Sequence, residues 1–139
     1  MLTQTATNAF KTGLMDGTFN FNTDTFKIAL YTGDATLNAT TGSYTLTNEV
    51  TGGSYVAGGA TLTVSQTPTT GPSGTIAYIN FSNVSWTGAI TARGALIYKV
   101  GTGNPTVCVL DFGADKTSVN SFVVQFPAST NTSAIIRLA

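Results

Sequence analysis

Residues 90–112 read ITARGALIYKVGTGNPTVCVLDF and contain two apolar runs separated by a turn. In the first run, Ile90 to Val100, one side of the extended chain is apolar, while Arg93 and Lys99 lie on the other side. The second run, Thr106 to Phe112, is apolar on both sides, which is typical of a strand that is covered on both faces. Because the turn between them is short and rich in Gly, Asn and Pro, the two runs are predicted to pair as antiparallel strands.

The same kind of pattern predicts further strands before and after this pair. They cover Phe26 to Tyr31, Thr61 to Ser65, Thr75 to Phe81, Phe122 to Phe126 and Ala134 to Leu138. Pro68 to Gly74 is predicted to be a turn, and Gly113 to Asn120 a turn or loop. The run from Thr75 to Phe81 is apolar on both sides, so we expect it to be central in its sheet.

The N-terminal part of the chain has a helical pattern. Within Thr5 to Asp16, apolar residues recur at the four-residue spacing of Ala6, Phe10 and Leu14, and Gly17 follows as a predicted C-terminal cap. Two roles for this helix remain open. It is a contact arm that presents Phe10 and Leu14 to a partner, or it closes one open end of the core.

One short helix followed by about eight closely spaced strands predicts an all-β fold. We expect a single antiparallel β-sandwich of jelly-roll type, in which residues 1–22 form a helix and arm and residues 23–139 form the sandwich; a Greek-key barrel is the alternative. The alternation within the strands predicts a core of Ile28, Leu30, Leu62, Val64, Ile76, Tyr78, Leu96, Tyr98, Val107, Val109, Phe122, Val124 and Ile136.

The segment from Ala35 to Gly59 is a long loop rich in Thr, Gly, Asn and Ser, with one weak strand or turn near Thr47 to Val50. Because loops of this length inside a compact domain are usually functional, we interpret it as a contact region, with Tyr44 and Tyr55 as candidate partner contacts. An alternative use of the aromatic residues is a sugar-binding platform, set against ordinary core packing. Its members would be Tyr44, Tyr55, Trp86 and Tyr98.

Charge is scarce in this chain. Its 139 residues include six basic and six acidic ones, so 9% are charged, whereas soluble domains average roughly 25%. Zero net charge without basic runs argues against binding to nucleic acid or to an anionic membrane. Residues 1–20 also lack the features of a signal peptide, so we expect a product that is assembled in the cytoplasm.

The residues needed for most active sites are missing. The chain has no histidine, and Cys108 is its single cysteine, which excludes a zinc site, a disulfide within the chain and a Cys–His dyad. Asp111 and Asp115 are close in sequence, and ion pairing is their expected use; the alternatives are a calcium site or an acid–base pair formed together with Glu49 or Asp24. The expected partners are Arg93, Lys99 and Lys116. We therefore expect no enzyme, no cofactor and no metal.

Six phrases occur in order along nearly the whole chain, from Phe10 to Leu138. They are TDTFKIALYT from Thr23, TNEV from Thr47, GATLT from Gly59, TARGALIY from Thr91, VLDFG from Val109, and an ending from QFP at Gln125 to IIR at Ile135. Together they resemble a family of small structural proteins of tailed bacteriophages. The resemblance implies a component of the virion and carries no catalytic residues with it.

A short, neutral β-protein of this kind is also similar to the jelly-roll cement proteins of capsid shells. This likeness implies a small homo-oligomer that binds the major capsid protein and stabilises the head. The alternatives are a tail or fibre module that contacts a receptor, and an enzyme, which a metal or a cleft with paired carboxylates would support.

Overall fold

A computed structural model describes residues 1–72 and 74–139 of the chain. The described residues form ten strands and one helix. In chain order they are β1 (Thr5–Ala6), α1 (Asn8–Asp16), β2 (Phe26–Tyr31), β3 (Ala60–Thr61), β4 (Val64–Thr69), β5 (Ala77–Phe81), β6 (Val84–Thr87), β7 (Thr91–Lys99), β8 (Thr106–Thr117), β9 (Ser121–Val124) and β10 (Ile136–Leu138).

The strands form one large antiparallel sheet and two smaller ones. The large sheet has the order β1-β8-β7-β2-β3, and the smaller sheets have the orders β10-β5-β4 and β6-β9. The predicted all-β sandwich with one short N-terminal helix is confirmed, with ten strands in place of about eight. The predicted pairing of β7 with β8 and the central position of β5 are confirmed too. Within the described part of the chain, no helix is long and apolar enough to span a membrane.

The main core, called the inner cluster below, lies between the large sheet and the two small ones. The large sheet contributes residues such as Phe26 and Ile97, while Phe81, Trp86 and Phe122 come from the small sheets. Aromatic rings from outside the strands complete it, because Phe19 and Phe21 stack on Phe26, and Phe10 of α1 packs edge-on against both of them. These aromatic contacts also fix α1 to the sandwich.

Irregular pairing in β8 explains the largest error in the predicted strands. The loop predicted from Gly113 is wrong, since β8 continues to Thr117. Its pairing with β7 jumps from Asp111 to Lys116, so the residues between them form a bulge, and Gly113 there has a φ of 83°. The glycine marks a kink within a strand rather than the end of one.

The strands around Pro68 also differ from the prediction. The single strand predicted from Thr61 to Ser65 is divided into β3 and the start of β4, which belong to different sheets. The turn predicted from Pro68 begins too early, because β4 runs to Thr69. Since β4 is an edge strand, a proline there need not break a ladder hydrogen bond. The strand β6 was not predicted.

The predicted core is correct about burial for most residues but mixes two faces of the large sheet. The prediction places Leu96, Tyr98 and Val109 in one core with Ile28 and Leu30, yet these three lie on the opposite face. A register shift after Ala92 changes which side of β7 faces inward, so alternation alone gave the wrong face. Three further members of the predicted core are only half-buried, namely Val64, Ile76 and Ile136.

The helix begins later than predicted. Thr7 is its N-cap, and the Thr7 hydroxyl accepts a hydrogen bond from the Phe10 N–H at 3.2 Å. Thr5 and Ala6 instead form β1, which pairs with β8, so the predicted arm of residues 1–22 contributes a strand to the large sheet. The predicted cap at Gly17 is confirmed, since this residue is left-handed with a φ of 81°.

Candidate contact surface

The long loop predicted from Ala35 lies on the outer face of the large sheet. We call residues 32–59 the cover loop and the apolar group beneath it the outer cluster. The outer cluster consists of Leu2, Ala29, Tyr31, Ala35, Leu37, Leu96, Tyr98 and Val109, with Tyr44 half-buried against it. Part of this loop therefore serves as a second layer over the sheet.

Backbone hydrogen bonds fix the first half of the cover loop. The Thr3 N–H donates to the Leu37 carbonyl at 2.9 Å, and the Leu37 N–H donates to the Met1 carbonyl at 3.1 Å. Further along, the Tyr44 N–H donates to the carbonyl of Asn104, in the β7–β8 turn, at 3.1 Å. The N-terminus and the β7–β8 turn thus hold this half from two sides.

The second half, residues 45–59, is called the latch segment and is centred on Glu49. One carboxylate oxygen of Glu49 accepts hydrogen bonds from the Tyr55 hydroxyl at 2.5 Å and from the Gly58 N–H at 2.8 Å. The other oxygen accepts one from the Tyr44 hydroxyl at 2.6 Å. Three donors from different parts of the loop therefore meet on one side chain.

Two tyrosines of the sheet hold the latch segment from below. The Tyr31 hydroxyl donates to the Thr45 carbonyl at 2.6 Å, and the Tyr98 hydroxyl donates to the Gly58 carbonyl at 2.7 Å. An isolated antiparallel bridge between Tyr31 and Glu49 adds a backbone connection to β2. This bridge agrees with the weak strand or turn predicted near residues 47–50.

The four tyrosines around Glu49 have raised pKa values. Burial is the largest cause for Tyr31, Tyr44, Tyr55 and Tyr98, and the negative charge of Glu49 adds to it. A phenol that keeps its proton remains a hydrogen-bond donor. The four hydroxyls are therefore donors at neutral pH, and they stay protonated to a higher pH than the hydroxyl of a free tyrosine.

Glycine is required where the latch segment approaches the rest of the chain. Gly59 has a φ of 80°, and a Cβ atom at this position would overlap the carbonyl oxygen of Ile28. Gly53 has a φ of 52°, and its Cβ would overlap the carbonyl oxygen of Thr87. These two contacts allow the loop to lie directly on the backbone of two strands.

The latch segment carries two exposed apolar side chains at its turns. Leu46 is 66% exposed and Val56 is 70% exposed. The Leu46 carbonyl accepts a hydrogen bond from the Glu49 N–H, and the Val56 carbonyl accepts one from the Gly59 N–H. Both turns are joined through Glu49, so these side chains project from a fixed backbone.

The four residues predicted as partner contacts lie at different depths. Phe10 is only 3% exposed, in the inner cluster, and Tyr55 is buried as well. Leu14 and Tyr44 are half-buried. Phe10 and Leu14 line an apolar groove of about 370 Å³ between α1 and the sheet that contains β10. The contact role of all four stays a prediction, whereas the packing of Phe10 gives the helix a core role.

Three members of the considered sugar platform are buried. Tyr44 stacks on Tyr98 with ring centroids 4.8 Å apart, while Tyr55 packs on Trp86 at 5.5 Å. Tyr98, Tyr55 and Trp86 are the buried ones. The arrangement is that of core packing in two pairs.

The expected ion pairing is present for Asp111, whereas Lys99 pairs with Asp24 and, among the described residues, neither Asp115 nor Lys116 forms an ion pair. Arg93 pairs with Asp111 at 3.0 Å and Lys99 with Asp24 at 3.1 Å. A hydrogen bond from the Gly113 N–H and the Arg93 guanidinium lower the pKa of Asp111. In the described ranges, no three His, Cys, Asp or Glu side chains group so as to hold a metal ion.

The single cysteine is buried within the sandwich. Cys108 belongs to the inner cluster, and burial raises its pKa to about 12. A thiol with such a high pKa is almost entirely protonated at neutral pH, and the thiolate is the nucleophilic form. The Cys108 side chain therefore acts as a small apolar group.

The comparisons with known proteins give no relative. No family model, no curated protein and no solved structure matches this chain. The main feature that sequence reasoning missed is Glu49 as the centre of a tyrosine network. The one feature of the sequence that points to this network is a single acidic residue, Glu49, in a polar loop that also contains Tyr44 and Tyr55.

Proposed function

We propose that this chain is a structural protein of a bacteriophage virion, a capsid cement or decoration protein that binds the head shell. It acts as a small homo-oligomer that contacts the major capsid protein and resists opening of the shell. Binding, rather than catalysis, is its activity. The sequence resemblance to phage structural proteins supports this function, and so does the character of the latch segment.

The observation that carries the proposal is the exposure of Leu46 and Val56 on a loop that is already fixed. Burying these exposed apolar side chains against another protein surface removes apolar area from water, which favours association. Because Glu49 and the tyrosines hold the backbone, little conformational entropy is lost when these side chains are covered. A fixed apolar contact suits a protein that is present in many identical copies.

The sparse charges support the same mode of binding. With six basic and six acidic residues, the chain has little long-range field with which to attract a charged partner. We therefore expect mainly apolar and hydrogen-bonded contacts that bury on the order of 1,200 Å² or more for each copy. Weak individual contacts suffice, because many copies act together on one shell.

Counting copies in purified particles tests the placement. A head protein should be present in hundreds of copies and a tail or fibre protein in a few dozen or fewer. Imaging of the intact particle then locates it. A low copy number, with the protein located only in the tail, would favour the tail or fibre function over the cement function. Absence of the protein from particles would overturn both.

The contact itself is tested by variants at the turns of the latch segment. Leu46→Ser and Val56→Ser should reduce particle occupancy, while the proteins remain folded. Met15→Ser is the matched control, because Met15 is 82% exposed on α1. Loss of occupancy in Met15→Ser alone would instead assign the contact to the helix.

Salt dependence provides an independent test. Raising the salt concentration from about 0.1 M to 1 M shortens the screening length from about 10 Å to 3 Å. Occupancy should survive this change if apolar contacts hold the protein. Release at high salt would mean that charges dominate the attachment.

A further inference from the structure

We propose that the ionised carboxylate of Glu49 is a latch that keeps residues 45–59 closed, and that loss of its charge opens this segment while the sandwich stays folded. The proposal concerns the isolated protein and does not depend on what it binds. It makes the latch segment a separately opening unit at one edge of the large sheet.

The first argument is the chemistry at the carboxylate. The Tyr44 and Tyr55 hydroxyls and the Gly58 N–H all donate to Glu49. An ionised carboxylate is an acceptor only, whereas a protonated one carries a donor on one oxygen. Both oxygens of Glu49 accept from these donors, and hydrogen bonds to a charged group are stronger than those to a neutral one. The charge of the carboxylate therefore strengthens all three contacts at once.

The second argument is where the donors come from. Tyr44 is packed against the outer cluster, and Tyr55 belongs to the inner cluster. Glu49 thus joins the two apolar groups at the edge where β2 pairs with the two-residue strand β3. Removal of the charge would weaken the contact that joins the two tyrosines, whereas the Tyr55 hydroxyl would still accept a hydrogen bond from the Leu30 N–H at 2.9 Å.

The third argument is the small amount of other burial in the latch segment. Within residues 45–59, only Val50, Tyr55 and Gly58 are buried. The β7–β8 ladder, by contrast, holds fully buried residues such as Leu96 and Val109 on the middle strands of the large sheet. Segments with few buried apolar contacts open at lower free energy than central strands.

Four tyrosines and one lysine lie around Glu49 and the segment that it holds. On the loop these are Tyr44 and Tyr55, and from the sheet they are Tyr31 on β2 and Tyr98 on β7. The ammonium group of Lys27, also on β2, lies beside Gly58. The four phenols are neutral at neutral pH, so none of these tyrosines competes with Glu49 for the donors.

Native-state hydrogen exchange of single amides tests the latch. In Glu49→Gln the Val50 and Gly58 amides should lose at least tenfold in protection, because hydrogen bonds to a charged group are replaced by neutral ones. Amides of the β7–β8 ladder should keep their protection. Glu49→Ala should give a larger loss at the same two amides, and Tyr44→Phe a smaller one.

Two controls make the result specific. Asp34→Asn removes an exposed carboxylate from the same cover loop. Tyr78→Phe removes a hydroxyl from β5, in the three-stranded sheet. Neither should change protection of the Val50 amide.

Three results would overturn the proposal. The first is unchanged protection at Val50 and Gly58 in Glu49→Gln. The second is an equal loss in the latch segment and in the β7–β8 ladder, including outright unfolding, because the segment would then be part of one cooperative unit. The third is an equal response of Asp34→Asn, which would assign the effect to overall charge.

Discussion

The two faces of the large sheet are buried in different ways. The inner face is covered by other strands, and its cluster is dominated by phenylalanines that pack ring against ring, as Phe21 does on Phe26 with centroids 4.6 Å apart. The outer face is covered by a loop, and its aromatic residues are tyrosines. A loop brings backbone carbonyls that need donors, whereas strands pair with each other. The hydroxyls of Tyr31 and Tyr98 supply such donors to Thr45 and Gly58.

This difference predicts that removal of an inner ring has the largest effect on stability. Phe26 is almost fully buried and packs against Phe19, Phe21 and Phe81. Phe26→Ala should lower the free energy of unfolding by about 3 to 5 kcal/mol, measured by chemical denaturation. Met15→Ala, at an exposed site, should change it by less than about 0.5 kcal/mol. Equal effects in the two variants would contradict the inner cluster as the main core.

The outer cluster should be nearly as sensitive. Leu96 is fully buried beneath the cover loop, and Leu96→Ala should lower the free energy of unfolding by about 2 to 5 kcal/mol. A loss below about half a kcal/mol would mean that the cover loop adds no real second layer. The comparison with Phe26→Ala measures how far a loop can replace a sheet as a cover.

A smaller effect is expected where the latch segment touches β2. Gly59→Ala places a Cβ atom against the Ile28 carbonyl at a φ of 80°, so it should destabilise the protein by more than about 1 kcal/mol. Gly103→Ala is the matched variant, because Gly103 has a similar φ of 75° but open space around its Cβ position. Similar losses in both variants would attribute the effect to φ alone and not to the close approach.

The sequence was sufficient for the overall fold because alternation of apolar residues reports strands directly. It failed at bulges, since the shift after Ala92 exchanges the two faces of β7, and the glycines at the shift, Gly94 and Gly113, do not by themselves distinguish a bulge from a strand interior or a turn. It also missed the latch. Tyr98 and Glu49 are far apart in the chain, and only the fold shows that both bond to Gly58. A hydrogen-bond network among distant residues has no sequence period.

The four tyrosines around Glu49 also make the stability of the protein sensitive to alkaline pH. In the unfolded chain they ionise near pH 10, whereas burial raises the pKa of Tyr31, Tyr44, Tyr55 and Tyr98 in the folded protein. Their contribution is therefore complete below about pH 10 and is lost as the pH rises above it, by up to about 1.4 kcal/mol per pH unit for each group. Phenolate absorbance should rise at higher pH in the native protein than in denaturant. Coincident titration curves would contradict the burial of these hydroxyls.

The smallest effect is expected at Cys108, which can report which of the two regions has opened. Cys108 lies in the inner cluster on β8 and pairs with Ala6 of β1, at the opposite end of the large sheet from β3. Burial and a pKa of about 12 should make the native thiol unreactive toward thiol reagents at neutral pH. Opening of the latch segment in Glu49→Gln should leave this rate unchanged, because the β1–β8 pairing remains closed. Phe26→Ala should accelerate labelling by raising the population of globally unfolded chains. If Glu49→Gln accelerates labelling as much as Phe26→Ala does, then the two faces of the sheet open together and the distinction between them fails.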